Sequence, residues 1–244
     1  MVGRFVAGLV LAAGLGLLPA FAHDEAAGVL VLADSNGEGP FGGTLYDGLR
    51  ALRDPIGSDP LHVLIFAKCG AGASDYVIRE RANIDCGAWR CDGGRPISDC
   101  HHFRGGFIPD LTELYRDLGT ARHVTVVALG LNMIIGDRQT KLADASRLIA
   151  ALKAQKSACI WVGPPQAGEG FVRVQTFDSF EADLKRTVIE QGCRYVTSDD
   201  KTDRRGFGPG SKDDHYSRPE AITWANKVLH ELEGGVHDAL VKTR

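Results

Sequence analysis

After its N-terminal segment, the chain alternates short apolar runs with longer segments of helical periodicity. The apolar runs predict buried strands over residues 28–33, 62–67, 123–129, 158–163 and 193–197. The periodic segments predict helices over about 44–53, 109–118, 138–155 and 178–190, and from Pro219 onward. Apolar strands separated by helices are typical of a parallel sheet covered on both faces. We therefore expect a three-layer α/β/α doubly wound fold.

One stretch breaks this alternation. Residues 79–106 are rich in Gly and Cys, contain Trp89 and show no clear period. We interpret them as an insertion into the α/β domain.

The first 22 residues have the pattern of a secretory signal peptide. Arg4 precedes an apolar run over 5–18, and the tripeptide Ala20-Phe21-Ala22 provides a cleavage site. The apolar run is shorter than the ~20 residues that a membrane span needs, so a retained anchor is the less favoured interpretation. We expect a single mature domain over 23–244, periplasmic or secreted, with no stable membrane insertion after cleavage.

Composition excludes several classes of protein. The chain has 244 residues, a formal net charge of −3, 44% hydrophobic and 24% charged residues, values ordinary for a compact domain. They exclude a disordered chain, a collagen-like repeat and a coiled coil. No long basic run is present, which argues against a nucleic-acid partner and favours small or neutral molecules.

Six cysteines suit an oxidising compartment and up to three disulfides. They are Cys69, Cys86, Cys91, Cys100, Cys159 and Cys193. Cys159 and Cys193 each open a predicted strand, so neighbouring strands could bring them into disulfide range. The connectivity of the other four stays open.

Part of the insertion also has the residue types of a zinc site, namely Cys86, Cys91, Cys100, His101 and His102. Their spacing matches no zinc-finger pattern, and export favours disulfides. We therefore expect no metal.

Polar residues cluster where the predicted strands end. Asp34, Ser35 and Asn36 follow the first strand, Gly70 and Gly72 the second, Gly130 and Asn132 the third, and Asp213, Asp214 and His215 precede the last helix. Because parallel strands present their carboxyl ends at one edge, these clusters should converge there.

Two common motifs at the first strand fail in context. Residues 37–42 satisfy G-x-G-x-x-G, but Lys68 follows the second strand in place of a ribose-binding acid, so we expect no dinucleotide cofactor and no other cofactor. Residues 33–37 are similar to a nucleophile elbow. Only about a dozen mature residues precede Ser35, which excludes the α/β-hydrolase fold.

Taken together, the four clusters resemble the SGNH, or GDSL-type, hydrolase family. The order Asp-Ser, glycine turn, Gly-x-Asn and Asp/His is the specific part, and the turn at 162–165 is also similar. The resemblance extends from Val29 to about Leu229. It implies a flavodoxin-like doubly wound sheet and an esterase site.

The resemblance also implies residue roles. Ser35 would be the nucleophile, His215 the general base and Asp213 the residue that orients the imidazole. The backbone N–H groups of Ser35 and Gly72 and the side-chain amide of Asn132 would form the oxyanion hole.

The chain departs from the family pattern at two places. Lys212 stands three residues before His215, where the family commonly has Asp. We choose Asp213, two residues before, over Asp214, because an adjacent side chain usually points away. Met133 stands where an aspartate often follows Gly-x-Asn.

We therefore expect an exported serine esterase that hydrolyses small acyl esters, O-acetyl esters of a carbohydrate above all, through an acyl-enzyme. The same residues could transfer the acyl group to a sugar hydroxyl, which makes an O-acetyltransferase the nearest alternative. A non-catalytic binding protein on this scaffold is the alternative from another class, with the insertion as its contact surface.

Overall fold

The computed structural model describes residues 26–77, 84–93, 97–198, 202 and 215–243. Its strands are β1 (Ala27–Ala33), β2 (His62–Lys68), β3 (Ala88–Asp92), β4 (His101–Phe103), β5 (Arg122–Ala128), β6 (Ala158–Val162) and β7 (Arg194–Val196). Its α-helices are α1 (Pro40–Ala51), α2 (Leu111–Leu118), α3 (Arg138–Ala154), α4 (Val174–Glu190) and α5 (Arg218–Lys242). The predicted signal peptide, Asp213 and Asp214 lie outside the described residues.

The strands form one seven-stranded sheet in the order β4-β3-β2-β1-β5-β6-β7. Strands β2, β1, β5, β6 and β7 are parallel. The chain builds the sheet outward from β1, first toward β2 and then toward β5. The strand order therefore reverses at β1, and the carboxyl end of β1 is the usual position of ligand sites in such folds.

Alternate residues of β1 face two separate layers of helix. Leu30 and Leu32 pack in a core with residues of α2, α3 and α4. Val29 and Val31 pack in a second core with residues of α1 and α5. All four side chains are fully buried, as expected for a strand covered on both faces. This confirms the predicted three-layer α/β/α fold.

Sequence analysis missed regular structure in the insertion. Strands β3 and β4 pair antiparallel with each other, and β3 pairs antiparallel with β2, so the insertion extends the sheet. Both strands are short, and β3 is buried at Ala88, Trp89 and Cys91 but only partly at Arg90 and Asp92. Such a short run leaves no usable period in the sequence.

The predicted and observed helix starts differ most for α1 and α4. Helix α1 begins at Pro40 rather than near residue 44, because proline suits the first helical position and Gly39 is extended. Gly42 and Gly43 inside the helix conceal its period. Helix α4 begins at Val174 rather than near residue 178.

All six cysteines are in disulfides. The pairs are Cys69–Cys86, Cys91–Cys100 and Cys159–Cys193. The first two join the insertion to the end of β2 and brace its hairpin. The third joins β6 to the residue before β7, with 5.0 Å between the Cα atoms. These thiols are therefore not present as zinc ligands.

Within the described ranges, none of the helices combines the length and the apolar character that crossing a bilayer requires.

Candidate active site

Ser35 lies directly beyond the central strand. Asp34, the residue between β1 and a 3₁₀ turn over Ser35–Glu38, caps that turn by accepting a hydrogen bond from the Asn36 N–H at 3.0 Å. The Asp34 N–H donates to the carbonyl oxygen of Ala128 at 3.4 Å, which ties the turn to the end of β5. The cap and this tie hold Ser35 at the switch point of the sheet.

Two glycines of the G-x-G-x-x-G pattern, Gly37 and Gly42, allow close packing of this turn. A Cβ on Gly37 would lie 2.3 Å from Cβ of Ala33 and 2.9 Å from Cβ of Ala67. A Cβ on Gly42 would lie 1.9 Å from the carbonyl oxygen of Gly37. Only glycine therefore lets the turn approach β1, β2 and helix α1 this closely.

His215 contacts Ser35 although 180 residues separate them. Its Nε2 lies 2.9 Å from Oγ of Ser35, a normal hydrogen-bond distance. When the imidazole proton is on Nδ1, Nε2 accepts the hydrogen bond from the hydroxyl. Ser35 is partly buried and His215 is exposed, so the pair is open to an incoming molecule.

Helix α5 positions His215, which lies three residues before its start. The ring of Trp224 in this helix stacks on Phe41 of α1 with 3.6 Å between centroids. The Trp224 indole N–H also donates to Oγ of Ser198 at 3.0 Å. The Glu220 carboxylate accepts hydrogen bonds from the backbone N–H and hydroxyl of Ser217, which caps the helix.

The predicted Gly72 donor has an acceptor in this structure. Its N–H donates to Oδ2 of Asp75 at 2.7 Å, and Oδ1 of Asp75 lies 3.6 Å from Nζ of the buried Lys68. A short hydrogen bond to a charged carboxylate is stronger than one between neutral groups, so replacing it by a bond to another acceptor costs more free energy. A substrate oxygen would have to compete with the Asp75 carboxylate for the Gly72 N–H.

Asn132 lies beside Gly72. Its side-chain amide donates to the carbonyl oxygen of Ala71 at 3.3 Å, a long bond between neutral groups that is easier to exchange. Met133 is fully buried, and its Cγ would lie 3.6 Å from a Cβ on Gly72. Where the resemblance implies an aspartate, this chain therefore has an apolar wall.

A turn after β6 supports the Asn132 loop. A Cβ on Gly130 would lie 2.8–3.0 Å from ring atoms of Pro164, so the two loops pack closely. The indole N–H of Trp161 donates to the carbonyl oxygen of Leu129 at 2.9 Å. These contacts hold Asn132 at the same edge of the sheet as Ser35.

Sequence reasoning missed Tyr76, which links the ends of β1 and β2. Its hydroxyl donates to the carbonyl oxygens of Ala33 at 2.6 Å and Phe66 at 3.2 Å. Burial, together with the negative charges of Asp34 and Asp75, raises the pKa of Tyr76 well above its usual value. The phenol therefore stays protonated and donates hydrogen bonds beneath the turn that bears Ser35.

Sequence reasoning also missed Glu38, which ends the same turn three residues after Ser35. Burial raises the pKa of its carboxyl group, while the backbone hydrogen bond of Cys69 and the charges of His215 and Lys68 oppose that shift. No sequence signal marked Glu38, because it falls on a variable position of the glycine pattern.

Sequence comparisons with protein-family models and with curated proteins gave no match. Among solved structures, a GDSL-like lipase from Bacteroides thetaiotaomicron superposes with a TM-score of 0.53 at 12% identity, over 85% of this chain and 87% of that one. The chain has the GDSL-like, or SGNH, hydrolase fold.

Two further solved structures are more distant from this SGNH-fold chain. A peptidoglycan O-acetylesterase matches at 9% identity and a TM-score of 0.48, over 89% of this chain and 93% of that one. A family two carbohydrate esterase from Cellvibrio japonicus matches at 14% identity and a TM-score of 0.47, over 89% of this chain and 63% of that one.

Proposed function

We propose that the protein is an exported serine esterase that hydrolyses small acyl esters through an acyl-enzyme intermediate. The observation that carries this proposal is the 2.9 Å contact between Oγ of Ser35 and Nε2 of His215. A nucleophile and a base within hydrogen-bond reach are the minimum arrangement for nucleophilic catalysis. Their position at the switch point of the sheet, open on one side, favours a substrate site.

In the proposed first half-reaction, Oγ of Ser35 attacks the ester carbonyl carbon while Nε2 of His215 takes the hydroxyl proton. The bond from the carbonyl carbon to the alcohol oxygen then breaks, and His215 donates the proton to the leaving alcohol. In the second half-reaction, water attacks the acyl carbon while His215 takes a proton from that water. The bond from the carbonyl carbon to Oγ then breaks, His215 returns the proton to Oγ of Ser35, and the acid leaves.

Asp213 is the residue that we propose accepts a hydrogen bond from Nδ1–H of His215. This contact would fix the tautomer in which Nε2 accepts the serine proton, and would stabilise the imidazolium that forms.

For the developing oxyanion we propose the Ser35 N–H, the Gly72 N–H and the Asn132 amide as donors. Asn132 gives up only a 3.3 Å bond to a neutral carbonyl, whereas Gly72 must first lose the 2.7 Å bond to Asp75. Lys68 offers Asp75 an alternative partner during that exchange. Of the Gly72 N–H and the Asn132 amide, we therefore assign the larger share of oxyanion stabilisation to Asn132.

For the substrate we propose an O-acetylated carbohydrate outside the cytoplasm. The signal-peptide pattern over residues 1–22 and three disulfides suit export to the periplasm or the medium. A cleft that begins at Glu38, three residues after Ser35, is lined by the exposed imidazole of His102 and by an edge of the largely buried Trp89, both from the insertion.

The test is covalent labelling by a serine-directed fluorophosphonate, read by intact mass on wild type, Ser35→Ala and His215→Ala. We expect one adduct on wild type and none on either variant at the same exposure time. Ser74→Ala is the matched control, because Ser74 lies partly buried at the neighbouring turn and should leave labelling unchanged. An adduct on Ser35→Ala, or none on folded wild type, would contradict the proposal.

A further inference from the structure

One oxygen of the Glu38 carboxylate has no partner in the described part of the chain. Its Oε1 is buried from solvent and accepts no hydrogen bond there. A buried acceptor without a donor destabilises a protein, and a charged one does so more strongly. Such an atom beside a candidate nucleophile points to a donor that arrives with the substrate.

Glu38 lines two adjoining clefts. The larger has a volume of about 420 Å³ and lies between helix α1, the start of α5 and the insertion. The smaller, of about 310 Å³, continues toward Arg104. His102 also lines both clefts. A volume of this size is in the range of small-molecule sites and fits a sugar ring.

The insertion builds the outer wall of the larger cleft. Trp89 and His102 lie with their rings 6.2 Å apart and 30° from parallel. Ile97 packs its side chain against helix α1, where a Cβ on Gly43 would lie 2.6 Å from its Cδ1. The clefts therefore begin at the end of the Ser35 turn and run along an aromatic wall.

The charges around Glu38 favour a neutral donor over a cation. Lys68 and His215 already act electrostatically on its carboxylate, and Arg218 lines the larger cleft. A ligand cation would meet these positive groups. A hydroxyl group supplies the missing hydrogen bond without adding charge.

We propose that Glu38 is a specificity-determining residue: rotation of its carboxylate turns Oε1 from its buried position toward the clefts, where it accepts a hydrogen bond from a free hydroxyl of the alcohol part of the ester. This inference rests on the proposed esterase function and narrows it. The preferred substrates carry their acyl group on a polyhydroxylated alcohol that occupies the two clefts.

The test is a cycle of two enzymes and two substrates. The first substrate is a mono-O-acetylated methyl glycoside with its other hydroxyls free, chosen from a small panel as the one that wild type hydrolyses fastest. The second is the same compound with those hydroxyls methylated. For wild type, kcat/KM should be about 10- to 100-fold higher for the free-hydroxyl compound than for the methylated one, because a hydrogen bond to a charged acceptor contributes about that factor. In Glu38→Ala the preference should fall to within about threefold.

Glu190→Gln is the control for a general loss of negative charge, because Glu190 is exposed at the end of α4. It should keep the full preference. If Glu38→Ala keeps that preference too, or if wild type has none, the role of Glu38 is refuted. If wild type hydrolyses no ester and Ser35 takes no fluorophosphonate, the esterase itself is refuted.

Stability provides an independent readout. Glu38→Gln removes the charge of a partly buried carboxyl group whose Oε1 has no hydrogen-bond partner, and the amide oxygen can still accept the hydrogen bond from the Cys69 backbone N–H. We therefore expect a Tm equal to or above that of wild type at pH 7, with a reduced preference for the free-hydroxyl substrate. A Tm several degrees lower would instead indicate a structural role and overturn the proposal.

Discussion

Gly42 of helix α1 packs directly against the backbone of Gly37 in the Ser35 turn, so Gly42→Ala should damage the site from outside it. The new Cβ would lie 1.9 Å from the carbonyl oxygen, 2.6 Å from the carbonyl carbon and 2.8 Å from Cα of Gly37. All three atoms belong to the backbone, so no side-chain rotation relieves the overlap. Either α1 or the turn that bears Ser35 must move.

The expected cost is that of overpacking, about 1–3 kcal/mol. For a chain of this length it corresponds to a decrease in Tm of about 2–12 °C. A shift of the turn by about 1 Å would lengthen the 2.9 Å contact between Ser35 and His215 and lower kcat for an acetate ester on the order of 100-fold.

Gly234→Ala is the matched control. Gly234 lies inside helix α5, and an added Cβ meets nothing within 4 Å. The same substitution should there stabilise the protein by about 0.5–1 kcal/mol, because alanine favours helix over glycine. Thermal melting and hydrolysis of 4-nitrophenyl acetate measure both variants. Equal Tm and equal kcat for the two would refute the close-packing argument.

Three further predictions test other parts of the structure. Asn132→Ala should lower kcat about 100- to 1000-fold with little change in KM, measured on an acetate ester. Burial raises the pKa of Asp54, but Arg122 and the backbone N–H groups of Ile56 and Gly57 together lower it below its usual value. Arg122→Met removes the 2.5 Å ion pair from this buried carboxylate and should cost about 3–5 kcal/mol by urea unfolding at pH 7; adding Asp54→Asn should restore much of that stability. Replacing Cys159 and Cys193 by Ser opens a loop with a sequence separation of 34 and should cost about 4 kcal/mol by the same assay.

The Asp54 carboxyl also predicts an acid dependence. Because its folded pKa lies below its unfolded value, the pair stabilises the protein above the unfolded pKa, and this contribution is lost as pH falls through the folded one. The double variant Asp54→Asn, Arg122→Met should lose less stability than wild type between about pH 5 and pH 3. An identical acid dependence would show that the pair does not contribute.

The order of strands and helices could be predicted because burial on both faces leaves a local pattern. Val29–Leu32 are apolar without interruption, and the helices repeat apolar residues at their own period. The sequence likewise placed Ser35, Gly72 and Asn132 just after strands. Each of these features depends on neighbours only a few residues away.

Other features depend on residues that meet only after folding. The 2.9 Å contact between Ser35 and His215, the competition of Asp75 for the Gly72 N–H and the unpartnered oxygen of Glu38 join segments that no local pattern connects. The β3–β4 hairpin exists because β2 offers an open edge to pair with. Hydrogen-bond geometry and burial at such contacts are set by the packing of the whole sheet and its helices, so only the tertiary structure decides them.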